Sequence, residues 1–306
     1  MHSSIALTRK SEIEVGQKMK KRLIKIAFFA LVAIISCSLM LVVYLNTHNT
    51  FVFLENSGIF RDEIKIEHTD KPQNAVKYTF DDLILLGNVI VDQSLMLINT
   101  EYTLSEDFIP EVAEYKSTEV YMNKCMLSAY ASLSADVTEK FGTKLYVSSD
   151  LRNADEQKEL YLADPNTATL PGASEHQSGL ALDVYVAKYA GDGFIKSPVG
   201  QFVNAYCHDY GFIIRYPSYG ENVTKIRFEP WHIRYVGQPH AKIIYENQLT
   251  LEEYILSLSV GEWYTAEGYL ISRQGYSDGL ILPESFESCV ISPDNTGCYI
   301  VTVKIK

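Results

Sequence analysis

The longest apolar stretch of the chain has no period. Residues 26–45 form a run of twenty positions without a charge, most of them apolar. At a rise of about 1.5 Å per residue, a helix of that length spans roughly 30 Å, the hydrocarbon thickness of a bilayer. Lys18, Lys20, Lys21, Arg22 and Lys25 stand immediately before it. The positive-inside rule therefore predicts a cytoplasmic tail over residues 1–25, a transmembrane anchor over 26–45, and an extracellular remainder after about Asn46. A cleaved signal peptide would have a shorter apolar region ending in small residues, whereas this run ends in Tyr44, Leu45, Asn46, Thr47 and His48.

Beyond the anchor the pattern changes. Residues 46–77 are polar and mixed, with Gly58 and Pro72, and read as a linker or stalk. A compact region, 78–247, opens on the strongly apolar residues 83–92. Residues 111–141 have helical periodicity and good helix formers and stop at Gly142. Residues 143–149 read as a strand, 154–164 as a helix stopped by Pro165, and 171–179 as a loop. Residues 180–187 alternate as a strand, 199–211 form a helix closed by Gly211, and 212–217 and 224–237 supply further strands. After a short helix over 249–259 the rest is β-like, so residues 248–306 are expected to be a β-rich C-terminal extension. Helices first with strands interleaved later predict an α+β fold with a small, mainly antiparallel sheet and flanking helices.

Composition sharpens this picture. With 47% hydrophobic residues the chain has ample material for a core. Residues 1–25 hold seven of the Lys and Arg and two Glu, leaving 20 basic against 36 acidic residues, a net charge of −16 outside the tail. So acidic a domain is no nucleic-acid binder, and an anionic substrate must be held by a local cation. Cys37 lies in the anchor, while Cys125, Cys207, Cys289 and Cys298 face an oxidising side. Cys289 and Cys298 flank a turn, which leaves a disulfide between them and free thiols both open.

Two islands carry the chemistry: Ser174-Glu175-His176-Gln177-Ser178-Gly179-Leu180-Ala181-Leu182-Asp183, and Glu229-Pro230-Trp231-His232. A catalytic zinc takes three N or O protein ligands and keeps a fourth position for water. His176, Asp183 and His232 meet that requirement, and Glu229 is then free to act as base. Strand alternation sets Asp183 opposite Leu182 and Val184, and Gly179 lets the chain turn so that His176 returns over the strand. In a regular strand Glu229 and His232 would point to opposite faces; Pro230 favours an edge or bulge that re-aims them. Taken singly, each residue has an ordinary reading: a hydrogen-bonded surface histidine, a solvated strand aspartate, a core tryptophan.

Together, the spacing Ser-x-His-x-x-Gly-x-Ala-x-Asp followed by Glu-x-Trp-His closely resembles the VanY-type D-alanyl-D-alanine carboxypeptidases. The resemblance covers about residues 78–247 and implies a zinc carboxypeptidase domain with its zinc site in a cleft. It implies that His176, Asp183 and His232 bind Zn2+ and that Glu229 is the catalytic base. The family's upstream Arg and Gln are matched by Arg152 and Gln157, although the residues around them differ. The resemblance implies that Arg152 binds substrate and stabilises the oxyanion, and that Gln157, Ser174 and Tyr216 line the substrate pocket. It also implies hydrolysis of a peptidoglycan stem peptide ending in D-Ala-D-Ala, with a role in glycopeptide resistance. No Ser is followed three residues later by Lys anywhere in the chain, which excludes the serine mechanism built on that motif. An L,D-carboxypeptidase acting on tetrapeptides and a non-catalytic, zinc-stabilised wall-binding module are the alternatives.

Overall fold

The apolar run forms a helix. In the computed structural model, which describes residues 2–45, 47–59, 61–165, 168–275 and 279–305, α1 spans His2–Leu45. Its stretch Met19–Leu41 has a mean hydropathy of 2.4, with none of it buried. From Ile26 onward the helix is apolar on every side, with no polar face for water and none singled out for a core. It is long and apolar enough to cross a membrane. The chain divides into two compact units, Met1–Val52 and Phe53–Lys306.

After α2 (Thr47–Ser57) come β1 (Glu67–Thr69), β2 (Ala75–Tyr78), α3 (Phe80–Leu85), β3 (Val89–Val91), β4 (Val112–Glu114) and β5 (Tyr121–Asn123). The central elements are α4 (Leu127–Phe141), β6 (Tyr146–Ser149), α5 (Ala154–Ala163), β7 (Ala181–Tyr185), α6 (Pro198–Tyr206), β8 (Phe212–Ile214), α7 (Glu221–Thr224) and β9 (His232–Tyr235). Then follow α8 (His240–Glu246), α9 (Leu251–Ser257), β10 (Trp263–Ala266), β11 (Tyr269–Gly275), β12 (Leu280–Pro283), β13 (Ser288–Pro293) and β14 (Cys298–Lys304).

A four-stranded sheet of order β6-β7-β9-β8, antiparallel throughout, carries the two sequence islands. Leu182 and Val184 of β7, Ile233 of β9 and Phe212 of β8 are fully buried against Tyr130, Leu133 and Val137 of α4 and Val199 and Val203 of α6. Each such side chain contributes about 1.5–3 kcal/mol of burial, which fixes β7 with Asp183 on the opposite face. The register pairs Ser149 with Asp183 and Asp183 with His232, so three polar residues stand side by side on that face.

A second sheet, of order β1-β10-β11-β14-β13-β3, has six strands and is antiparallel except for β13 with β3. Here the structure departs from the sequence reading. The span 46–77, expected as a stalk, contributes α2, β1 and β2, and β2 pairs with β12 of the C-terminal extension. The extension therefore shares its sheets with N-terminal segments. Without β1 and β3, β10 and β13 would each have a row of unpaired backbone groups, and the two short strands cover them. The helix expected over 111–141 starts only at Leu127, because Val112–Glu114 and Tyr121–Asn123 pair as a hairpin. The residues between them include Lys116, Ser117 and Glu119 at positive φ, incompatible with a helix. Cys289 and Cys298 are free thiols: Cys289 faces Val303 and Cys298 faces Gly275, far apart along the ladder.

Candidate metal and catalytic site

Each element delivers one side chain to the polar face of the four-stranded sheet. His176 sits in a 3-10 turn, Glu175–Ser178, which ends at Gly179 in the left-handed conformation with φ 69°. A Cβ there would stand 2.7 Å from Val112 Cγ1, so glycine is required both for the turn and for the contact with β4. The turn brings His176 back over β7, where its Nε2 lies 3.6 Å from Asp183 Oδ2. On the facing strand His232 Nδ1 lies 3.1 Å from Asp183 Oδ1. The three residues each offer a ligand atom within 4.8 Å of the others.

These separations fit a metal. Zinc bonds of about 2.1 Å in a tetrahedron put neighbouring ligand atoms about 3.4 Å apart, between the two distances found. Asp183 Oδ1 is buried without a hydrogen-bond partner, 3.1 Å from His232 Nδ1. His176 Nδ1 stands 2.8 Å from the Asp150 carbonyl and donates to it, which orients the ring with Nε2 toward Asp183.

The charges follow from the packing. Burial disfavours the Asp183 anion, but the two imidazoles outweigh that and hold the carboxyl well below its usual range. Burial likewise pulls His232 down, and Asp183 and Glu175 push it up to about 9. A metal must displace that proton from His232. Zinc affinity is therefore expected to tighten about tenfold per pH unit as pH rises, one proton leaving per metal bound, and to level off above the His232 value. Titration calorimetry in buffers of different ionisation enthalpy measures the proton release. A pH-independent affinity would contradict the arrangement.

Glu229 does not belong to the strand. The residues before β9 form a turn closed by His232 N–H on the Glu229 carbonyl at 3.1 Å. That turn, rather than a bulge, swings Glu229 Oε2 to 3.8 Å from His232 Nδ1, with 21% of its side chain exposed. Burial raises the Glu229 carboxyl above its ordinary value, opposed by His232 and reinforced by Asp183. Trp231 packs against the core cluster.

Arg152 precedes α5, whose start is fixed by a capping box between Asn153 and Glu156. Its Nη2 donates to Ser149 Oγ and its Nη1 to Gln157 Oε1, both at 2.7 Å. Glu156 is engaged in the cap and does not take Arg152 into an ion pair. Gln157 is 1% exposed, and its amide also donates to the Thr169 carbonyl, so it holds Arg152 in place. Ser174 and Tyr216 are both 6% exposed. The Tyr216 ring centroid lies 5.0 Å from that of His232, and its carbonyl accepts the Glu229 N–H. Ser174 precedes the His176 turn without capping it through its hydroxyl.

Sequence reasoning gave no role to Ser149, Glu175, Arg215 or Arg234. The last two are arginines inside otherwise apolar strand segments, Ile213-Ile214-Arg215 and Ile233-Arg234-Tyr235. A charge in such a run needs a buried partner, and that was the available signal.

Comparison with known proteins finds relatives of one family. The family model described as VanY, D-alanyl-D-alanine carboxypeptidase, matches residues 119–238. The chain is 33% identical over 230 residues to the putative carboxypeptidase YodJ of Bacillus subtilis (strain 168), covering 68% of this chain and 78% of that protein. It is 30% identical over 252 residues to a D-alanyl-D-alanine carboxypeptidase of Enterococcus faecium, covering 71% and 81%. The crystal structure of the vancomycin resistance D,D-dipeptidase VanXYg, in complex with a D-Ala-D-Ala phosphinate analog, superposes with a TM-score of 0.58 at 25% identity. That match covers 75% of this chain and 98% of the other.

Proposed function

This chain belongs to the VanY-type D-alanyl-D-alanine carboxypeptidase family, and from that membership we propose that it is a zinc-dependent hydrolase removing the terminal D-alanine from peptidoglycan pentapeptide stems. One observation carries the reading. Three donors that suit zinc converge on one sheet face, and a fourth carboxylate, Glu229, stands beside them outside the ligand set.

His176, Asp183 and His232 would hold the zinc. Bound there, zinc supplies Lewis acidity, lowering the pKa of a water and polarising the scissile carbonyl. Glu229 takes the proton of the attacking water and returns it to the departing D-alanine amine. Its raised proton affinity suits both tasks. Arg152, held by Ser149 and Gln157, presents a fixed cation to the substrate carboxylate or to the oxygen that gains charge as water adds. Gln157 acts through Arg152, while Ser174 and Tyr216 shape the pocket wall. In a domain of net negative charge, such a cation is what admits an anionic peptide terminus.

The lysine-rich flank of α1 supports a single-pass anchor with its N-terminus in the cytoplasm and residues 53–306 outside, where the stem peptide is found. Removing terminal D-alanine lowers the number of D-Ala-D-Ala ends available to glycopeptides, which gives the enzyme a part in resistance to them.

The test is D-alanine release by the detergent-solubilised full chain from pentapeptide and tetrapeptide stems, read by mass spectrometry. Release from the pentapeptide alone is expected, abolished by chelator, restored by zinc and indifferent to β-lactams. Release from the tetrapeptide alone would make the enzyme an L,D-carboxypeptidase, and inhibition by low penicillin would overturn the metal mechanism.

A further inference from the structure

On the same sheet face as the metal ligands lies a buried network of four charged side chains. Glu175 and Arg215 are each 1% exposed, Arg234 is 0% and Glu252 is 8%. Glu175 Oε1 accepts from Arg215 Nε at 2.6 Å and from Arg234 Nη1 at 2.5 Å. Arg215 turns its other two nitrogens on Glu252, at 2.9 and 2.6 Å. Arg234 Nη2 donates to the carbonyls of Ser94 and Met96, at 3.1 and 2.7 Å.

One oxygen is left over. Glu175 Oε2 is buried without a hydrogen-bond partner, 3.6 Å from His232 Nε2, which is equally buried and equally unpartnered. His232 turns its other nitrogen, Nδ1, to Asp183. Burying ions is costly even when they are paired, and apolar residues of similar volume often serve stability as well or better. Stability alone is therefore a poor reason for this network.

We propose that Glu175 is a positioning residue for the metal centre. Its free oxygen accepts the Nε2 proton of His232, which fixes the imidazole tautomer and aims the Nδ1 lone pair at the metal. A charge-assisted hydrogen bond of this kind is about 2.8 Å long, against the 3.6 Å that separates the two atoms. Arg215 and Arg234 hold Glu175 immobile. The outer partners lie beyond the matched family span of 119–238: Glu252 stands in the first turn of α9, and Ser94 and Met96 precede the span. The flanking segments thus support the metal site. The inference rests on His176, Asp183 and His232 being the metal ligands.

The experiment uses the detergent-solubilised full chain, stripped of metal. It measures zinc affinity by competition with a chromophoric chelator, the visible spectrum with saturating cobalt(II), and melting of the metal-free protein. Glu175→Gln is expected to melt cooperatively, to bind zinc about 10–100-fold more weakly, and to shift the cobalt bands. Glu252→Gln, one step further out, is expected to weaken zinc less, by about 3–10-fold. A folded Glu175→Gln with zinc affinity within about twofold of the parent and the parent's cobalt spectrum overturns the proposal. If Glu175→Gln fails to fold, Glu252→Gln decides: weakened zinc binding supports the proposal and parental binding overturns it. A parent chain that binds no zinc overturns the ligand assignment itself, an outcome distinct from the failure of Glu175 alone.

Discussion

Replacing Glu229 with glutamine is expected to lower kcat by about 10²–10⁴ while zinc remains bound at one per chain. The two effects separate because Glu229 stands beside the ligand set without belonging to it. Its Oε2 is 3.8 Å from His232 Nδ1, and its backbone is pinned independently, N–H on the Tyr216 carbonyl and carbonyl on the His232 N–H. Glutamine keeps the volume and the turn and loses only the ability to take a proton. KM should change little, since in the proposed mechanism the carboxylate acts on the water and on the leaving amine rather than in ground-state binding. Zinc content by atomic absorption and single-turnover D-alanine release check the prediction together. Retained kcat would remove Glu229 as the base, and lost zinc would make it a ligand.

Asp183→Ala is expected to have the opposite signature, losing the metal first and activity as a consequence. Asp183 is the anionic member of the donor trio and stands between the two imidazoles, at 3.6 Å from one and 3.1 Å from the other. Partners one shell out typically change metal affinity 10–100-fold, so loss of a direct ligand should exceed about 100-fold. The variant should therefore be inactive at micromolar zinc. Its metal-free fold should persist, because the core face of β7 is carried by Leu182 and Val184. A ligand that binds only the native state at about 100 times its Kd stabilises by about 2.7 kcal/mol, so zinc should raise the Tm of the parent and leave that of Asp183→Ala unmoved. An equal zinc-induced rise in both proteins would remove Asp183 from the ligand set.

How far the sequence reached can be judged residue by residue. The alternation around Asp183 was readable because Leu182 and Val184 face a core, and a period of two with one buried face leaves a single register. The convergence of His176 on that strand was readable from Gly179. The approach of Glu229 was foreseen only as an edge or bulge at Pro230, since spacing alone does not tell either from a turn that ends the strand. The hairpin of β4 and β5 was hidden because three-residue strands have no measurable period and lie among good helix formers. The second sheet was hidden for a different reason. Its β1 and β3 become strands only when β10 and β13 arrive to pair with them, so tertiary context decided what local propensity left blank.

That second sheet also bears on how the protein reaches its native state. The pairing of Glu67 with Thr265 closes a loop of roughly 200 residues, and loop closure of that length is slow and must precede any gain from the contact. The sheet that holds the two sequence islands pairs much nearer neighbours, such as Ser149 with Asp183 and Asp183 with His232. A newly made chain would accordingly assemble its four-stranded sheet early and spend its slowest interval with the edge of β10 awaiting β1. In that interval an exposed strand edge is open to aggregation and to proteases.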